Sequence, residues 1–151
     1  MNHLPMITVG IPIYNAEEYL DNAIKSVLAQ SYPHWELILV NDGSTDGSVD
    51  IAKKYAKMDS RSRLIDDGLN KKLPARLNQI IKEAKYDYVA RMDADDLMSV
   101  DRLKKQIDFL KSNPNYDLVT TGMYSIDNNN NIVGKRILKN QRMTSAEMLG
   151  G

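Results

Sequence analysis

Apolar residues follow two different periods along the chain, one typical of buried strands and one typical of helices. The first apolar run, residues 7–13, is rich in β-branched side chains and predicts a strand that leads into a turn at residues 14–16. From Tyr19 onward the apolar residues recur at helical spacing, and the helix is predicted to end at residues 30–33. The positions on this apolar stripe are Leu20, Ala23, Ile24, Val27 and Leu28. Together these segments form a first strand–helix unit.

The strand-then-helix order recurs along the rest of the chain. Further strands are predicted at 35–40, 63–65, 88–92 and 118–121. Further helices are predicted over about 48–57, from Pro74 to about Ala84, and over about 101–111. Segments 123–127 and 131–135 flank an asparagine turn and predict an antiparallel hairpin. Alternating strands and helices of these lengths predict an α/β fold, with a mostly parallel central sheet flanked by helices on both faces.

Composition limits the kinds of partner. The chain has 151 residues, and its 20 basic and 20 acidic side chains cancel, so no overall field favours nucleic acid. The absence of cysteine excludes disulfides and thiol chemistry and fits a reducing cytoplasm. No signal peptide is recognisable, and no apolar run approaches the roughly 18 residues of a membrane span. We expect a single domain over residues 1–151.

Acidic turns follow two of the predicted strands. Residues 93–96 (Asp-Ala-Asp-Asp) come after the strand at 88–92, and residues 41–48 (Asn-Asp-Gly-Ser-Thr-Asp-Gly-Ser) come after the strand at 35–40. Ligands of open parallel sheets bind beyond the carboxyl ends of the strands, so both turns are expected to face one cleft. Such carboxylates suit Mg²⁺ or Mn²⁺ held against a phosphate, although polar turns that cap the following helices are the alternative.

Three motifs, in this order, resemble those of the family 2 glycosyltransferases. They are Pro12-Ile13-Tyr14-Asn15, Val40-Asn41-Asp42-Gly43-Ser44-Thr45-Asp46-Gly47-Ser48 and Arg91-Met92-Asp93-Ala94-Asp95-Asp96. The resemblance continues through residues 102–106 and 113–114, and so covers roughly residues 6 to 122. It implies the GT-A fold, the Rossmann-like fold of nucleotide-diphospho-sugar transferases.

The resemblance also implies roles for individual residues. Asp42 resembles the carboxylate that accepts a hydrogen bond from a ring N–H of the nucleobase, and Pro12 and Tyr14 would wall the base pocket. The full set of donor-nucleotide residues implied in this way is Pro12, Tyr14, Asn15, Asp42, Ser44, Arg76, Asp93 and Ala94.

The metal site implied by the resemblance uses the second acidic turn. Asp95 resembles the main ligand of Mg²⁺ or Mn²⁺, Asp93 the position near the ribose and the metal, and Asp96 a neighbouring ligand or helix-capping residue. Many relatives have an Ala-Arg-Asn step whose arginine reaches the donor, whereas here Arg76 stands one position off. The other basic residues that could supply this charge, unless they are surface or structural residues, are Lys71, Lys72 and Arg91.

The implied reaction is transfer of a sugar, with inversion, from a UDP-linked donor to an acceptor hydroxyl. The resemblance implies a saccharide or lipid-linked acceptor, surface polysaccharide synthesis, and a cytoplasmic protein at the inner face of the membrane. It also implies that the general base and the acceptor-binding half lie downstream of Gly151, so that the chain alone would be inactive. Asp127, the only late aspartate, is a weak alternative for the base.

Three other interpretations use the same residues. A non-catalytic nucleotide-sugar binding module would keep Asp42 and Asp95 as well. A phosphohydrolase of the Asp-x-Asp type would use Asp93 as nucleophile and Asp95 as acid, but Leu97 is unusual at its position. A calcium loop beginning at Asp42 would lack its bidentate glutamate, because position twelve is Lys53.

Overall fold

The computed structural model describes residues 4–137, and the predicted α/β class is confirmed. The strands are β1 (Ile7–Ile13), β2 (Trp35–Asn41), β3 (Ser62–Asp66), β4 (Tyr88–Arg91), β5 (Met123–Ile126) and β6 (Ile132–Arg136). The helices are α1 (Glu17–Leu28), α2 (Ser48–Met58), α3 (Lys72–Glu83) and α4 (Arg102–Ser112). Residues 1–3 and 138–151 of the predicted domain lie outside the described residues. None of the helices within residues 4–137 is long and apolar enough to cross a membrane.

The central sheet is parallel throughout, with the strand order β3-β2-β1-β4, and β1 and β2 are its most buried strands. Helices α1, α2 and α4 pack on one face through Leu20, Ala52 and Ile107. Helix α3 covers the other face, where Ile80 joins a second core cluster. A Cβ at Gly10 would lie 2.3 Å from Ile80 Cγ2, so glycine in β1 allows this close approach of α3.

The strand order decides where a cleft forms. From β1 the chain moves to one side, to β2 and β3, and then crosses over through α3 to β4 on the other side of β1. The order therefore reverses at β1, between β2 and β4. In open parallel sheets this topological switch point is the usual place for a ligand.

The start of one helix and one predicted strand differ most from the structure. Helix α3 begins at Lys72, two residues before Pro74, because the backbone N–H groups of Lys71 and Lys72 donate to the distant Asp42. The strand predicted at 118–121 is wrong. This segment pairs with no strand among residues 4–137, and Leu118 is exposed. The hairpin of β5 and β6 is confirmed, with a register shift between Ser125 and Ile126.

Helices α1 and α2 are joined by a hydrogen bond that predicts a pH effect. The hydroxyl of buried Tyr55 donates to Asp21 Oδ1 at 2.7 Å, and Lys25 pairs with Asp21 Oδ2. These contacts, that of Lys25 first, lower the pKa of Asp21 from 3.8 to about 2. The stability that they provide is present above pH 3.8 and is lost as the pH falls towards 2.

Tyr55→Phe is expected to lower the free energy of unfolding by about 1 kcal/mol at pH 7, because one hydrogen bond to a charged group is lost. The pKa of Asp21 should rise but remain below its ordinary value, because Lys25 is retained. Urea denaturation at several pH values and NMR titration of Asp21 measure the two effects. Equal stability of the variant and the parent at pH 7 would contradict this account.

Candidate functional site

The carboxyl ends of β1, β2 and β4 bring the three sequence motifs to one edge of the sheet. Tyr14 follows β1 and is 56% exposed, which leaves its ring free to contact a ligand. Asp42 follows β2 on one side of it, and the acidic turn at residues 93–96 follows β4 on the other. The expectation that the two acidic turns face one cleft therefore agrees with the strand order.

The turns after β1 and β2 are tied together by side-chain hydrogen bonds. Asn15, with φ of 46°, accepts from the backbone N–H of Thr45 at 2.8 Å and donates its own N–H to Ser44 Oγ at 3.1 Å. Asp46 accepts from the backbone of Glu17 at 3.0 Å, near the start of α1. Asn15 and Ser44, both predicted to bind the donor, thus also hold the walls of the cleft in place.

Asp42 is almost completely buried, and its carboxylate has three donors among residues 4–137. Oδ1 accepts from the backbone N–H of Lys71 at 2.7 Å and from Arg76 Nε at 2.9 Å. Oδ2 accepts from the backbone N–H of Lys72 at 3.1 Å, its single donor in the described part of the chain. Burial raises the pKa of Asp42, but the hydrogen bonds from Arg76, Lys71 and Lys72 outweigh it and lower this pKa overall. The group is therefore a fixed carboxylate at neutral pH.

Arg76 has no exposed surface, so it can influence a ligand only through its neighbours. Its guanidinium group bonds to Asp42, Asp67, Gln79 Oε1 and the carbonyl of Leu69. The sequence interpretation placed Arg76 among the donor-binding residues, and the structure shows it behind Asp42 instead. The turn that carries Asp42 requires a glycine next to it, because Gly43 has φ of 74°.

The acidic turn after β4 has carboxylates with different surroundings. Both oxygens of Asp93 accept from Arg91, the nearest contact being 3.0 Å from Nη2 to Oδ1. Asp95 is exposed and receives no hydrogen bond from the residues that the structure describes. Desolvation, followed by the negative charges of Asp93 and Asp95, raises the pKa of Asp96. The three carboxylates are thus close enough to repel one another.

This turn fits a hard divalent cation that is shared with a ligand. Carboxylate oxygens are the donors that Mg²⁺ and Mn²⁺ prefer, and a cation would relieve the repulsion around Asp96. No group of three or more His, Cys, Asp or Glu side chains within residues 4–137 is arranged to hold an ion alone. Asp93 is paired with Arg91, whereas the carboxylates of Asp95 and Asp96 accept no hydrogen bond from residues 4–137.

Of the three other basic residues proposed from the sequence, Lys71 and Arg91 are already engaged, whereas the exposed side chain of Lys72 has no partner within residues 4–137. Lys71 Nζ pairs with Asp67 at 2.7 Å, and Arg91 pairs with Asp93. Asp127, the weak candidate for a base, accepts hydrogen bonds from the backbone of Asn129 and from the backbone and side chain of Asn131. These bonds, those of Asn131 first, lower the pKa of Asp127 and make it a poorer base.

Two residues near the site were missed by the sequence interpretation. Asp67 follows β3, and the rule that singled out Asp42 and the turn after β4, a carboxylate just after a strand, would have found it. Arg102 was noted only as part of a motif, yet its Nη2 donates to the carbonyl of Arg91 at 3.1 Å. Burial lowers the pKa of Arg102, and the charges of Asp96 and Asp93 offset only part of this effect. Their influence shows that the guanidinium group lies near the acidic turn.

Comparison with known proteins decides the family. The sequence model of the family described as Glycosyl transferase family 2 matches residues 8–149. The chain belongs to glycosyl transferase family 2. This finding confirms the resemblance carried by the three motifs, and with it the GT-A fold.

Individual members of the family show how much of a relative this chain represents. The glycosyltransferase EpsE of Bacillus subtilis is 48% identical over 128 residues, which are 84% of this chain and 46% of EpsE. WfgD of Escherichia coli, named as a UDP-Glc:alpha-D-GlcNAc-diphosphoundecaprenol beta-1,3-glucosyltransferase, is 33% identical over 95% of this chain and 55% of its own. The chain thus spans about half the length of these relatives.

A solved structure shows the same architecture. S. aureus TarS, determined in complex with UDP-GlcNAc, matches with a TM-score of 0.65 and 27% identity over 71% of this chain and 31% of that chain. The similarity to TarS supports the fold described above, in which the carboxyl ends of the parallel strands lie at one edge of the sheet.

Proposed function

We propose that this family 2 chain is the donor-binding part of an inverting glycosyltransferase. It binds a nucleotide-diphosphate sugar, UDP-linked, with Mg²⁺ or Mn²⁺, for transfer to the hydroxyl of a saccharide or lipid-linked acceptor. The observation that carries the proposal is the position of Asp42 and the Asp93–Asp96 turn on opposite sides of Tyr14, at the switch point of the sheet. In this arrangement the end of the cleft at Asp42 can take a nucleobase, and the end at the acidic turn can take a diphosphate.

Each end of the cleft has chemistry suited to its part of the donor. Asp42 can accept one N–H of a nucleobase, and the exposed ring of Tyr14 can pack against the base. Asp95, with Asp93 and Asp96 beside it, would hold the metal ion. When bound, such an ion stabilises the negative charge of a leaving diphosphate. Arg91 and Arg102 stand next to these carboxylates and limit their mutual repulsion.

Two similar proteins support the donor and the acceptor named in this proposal. WfgD is named for a UDP-glucose donor and a diphosphoundecaprenol acceptor, and TarS was determined with UDP-GlcNAc. By analogy, we place this protein in cytoplasmic synthesis of a surface polysaccharide, at the inner face of the membrane. Because the chain spans about half the length of EpsE and WfgD, we assign the general base that deprotonates the acceptor to a part of the enzyme outside residues 4–137.

Calorimetric titration with UDP, GDP and dTDP, each with and without Mn²⁺, tests the proposal. We expect UDP to bind more tightly with Mn²⁺ than without it. Binding of none of the three nucleotides under either condition would reject the donor site. Tight binding of GDP alone would reject the assignment of uracil as the nucleobase of the donor.

Asp42→Asn is expected to weaken UDP binding about tenfold, both with and without Mn²⁺, because an accepting carboxylate at the base is lost. The matched control is Asp50→Asn, which changes an exposed aspartate on α2 and should bind UDP like the parent. Circular dichroism establishes that both variants are folded. A loss of UDP affinity that occurs only when Mn²⁺ is present would place Asp42 at the metal ion and contradict its role in binding the nucleobase.

A further inference from the structure

Asp67 contacts the back of the candidate base pocket, although no role has been assigned to it. Its side chain is 30% exposed and forms a two-point ion pair with Arg76: Nη2 to Oδ1 at 2.7 Å and Nη1 to Oδ2 at 3.1 Å. Oδ1 also accepts from the backbone N–H of Leu69, and Oδ2 pairs with Lys71 Nζ. Asp67 therefore fixes both the guanidinium group and the loop that leads to α3.

The ion pair, together with Gln79 Oε1 and the carbonyl of Leu69, fixes which way Arg76 points. A two-point pair between a guanidinium group and a carboxylate has a defined plane and direction. With Nη1 and Nη2 directed at Asp67, the remaining Nε donates to Asp42 Oδ1 at 2.9 Å. The loop held by Asp67 supplies the other donors to Asp42, the backbone N–H groups of Lys71 and Lys72. Asp67 thus contacts Arg76 and the loop, the two parts of the chain that supply all three of these donors to Asp42.

This arrangement leaves Asp42 with limited capacity for a ligand. A carboxylate oxygen accepts about two hydrogen bonds, so Oδ1 is filled by Arg76 and Lys71, and Oδ2 has one position left beside Lys72. A single free position matches a base edge with one N–H between two carbonyls, as in uracil or thymine. Guanine presents two adjacent donors, a ring N–H and an amino group, which call for both oxygens of a carboxylate.

We propose that Asp67 is a positioning residue for base selection: through Arg76 and the 69–72 loop it keeps Oδ1 of Asp42 filled, and so favours a base with a single N–H donor. The proposal rests on the nucleotide-sugar function proposed above and names a residue that makes the site selective. Asp67 itself touches no ligand and acts only through Arg76 and the loop.

The test compares Asp67→Asn with the parent protein by calorimetric titration with UDP and GDP in the presence of Mn²⁺. We expect the affinity for UDP to fall about tenfold and the preference for UDP over GDP to shrink at least about threefold, because the two-point pair is broken and Oδ1 becomes available. The affinity for inorganic pyrophosphate with Mn²⁺ should not change, since the acidic turn after β4 is untouched.

Asp59→Asn provides a matched control, because Asp59 forms a similar two-point pair with Arg61, away from the cleft. It should leave the UDP affinity and the UDP-to-GDP ratio unchanged. Asp67→Glu, which keeps the charge, should recover part of the preference and replaces Asp67→Asn if that variant does not fold.

Two results would overturn the role of Asp67. One is an unchanged UDP-to-GDP ratio in a folded Asp67 variant, and the other is an equal loss of UDP, GDP and pyrophosphate binding, which a purely structural role would give. Failure of the parent protein to bind any nucleotide is a different result, and it would reject the proposed function itself.

Discussion

Replacement of Asp95 by alanine is expected to remove metal-dependent UDP binding, with a loss of at least about a hundredfold in the affinity measured with Mn²⁺. The reason is the unequal surroundings of the acidic turn. Asp93 is paired with Arg91, whereas Asp95 is exposed and receives no hydrogen bond within residues 4–137. The carboxylate of Asp95 can therefore bind a cation without breaking an existing contact. UDP affinity without metal should stay close to that of the parent.

Titration of UDP in the presence and absence of Mn²⁺ separates this effect from a general loss of the site. Asp108→Ala is the control, because Asp108 is an exposed aspartate whose carboxylate pairs with Lys104 on the surface of α4. It should bind UDP and Mn²⁺ like the parent. Undiminished Mn²⁺-dependent affinity in Asp95→Ala would assign the metal to other side chains. Equal losses with and without metal would mean that the change disturbs the nucleotide pocket.

Sequence periodicity was sufficient for the elements that are buried along almost their whole length. The strands β1 and β2 are buried almost throughout, and their apolar runs predicted them within a residue. The start of α3 could not be predicted in this way. It depends on Asp42, about 30 residues earlier, which accepts the N–H groups of Lys71 and Lys72. A local pattern of apolar residues contains no information about such a distant acceptor.

The segment at 118–121 was predicted as a strand from its residue types, but it does not form one. Its β-branched residues are typical of a strand, but a strand also needs a neighbour, and none of the described strands pairs with it. β4 has a partner only on its β1 side, so its other edge is open in residues 4–137. Propensity alone could not distinguish a paired strand from an extended segment with the same residues.

The candidate site was predictable in its acidic residues and not in its basic ones. Carboxylates after strands are visible in the sequence, and the order of the strands then brings Asp42 and Asp95 to one edge. Whether a cation is buried depends on its packing in three dimensions. Arg76 resembles any helical surface residue in the sequence, yet it is fully buried between Asp42 and Asp67. Its role behind the site follows only from the structure.

Arg76→Met is expected to lower the free energy of unfolding by about 3–5 kcal/mol at pH 7. Methionine fills a similar volume but removes the buried charge that pairs with Asp42 and Asp67. Buried Asp42 then keeps only its two backbone donors and faces the charge of Asp67 without a cation between them. The change leaves an uncompensated buried carboxylate, which is the costly way to break such a pair.

The loss should depend on pH in a defined direction. In the parent, Arg76 lowers the pKa of Asp67, and together with the backbone of Lys71 and Lys72 it lowers that of Asp42 against the effect of burial. Carboxylates with a lowered pKa stabilise the fold above their ordinary value of 3.8, and this stability disappears as the pH falls. The stability difference between Arg76→Met and the parent should therefore be largest near pH 7 and narrow towards pH 3.

Urea denaturation across this pH range measures the effect, with Lys104→Met as the control. Lys104 pairs with Asp108 on the exposed side of α4, so its replacement should not change stability measurably. A stability difference for Arg76→Met that stays constant from pH 7 to pH 3 would indicate lost packing instead of lost charge. A difference near zero at pH 7 would mean that the two carboxylates are solvated, and it would contradict the buried network behind the base pocket.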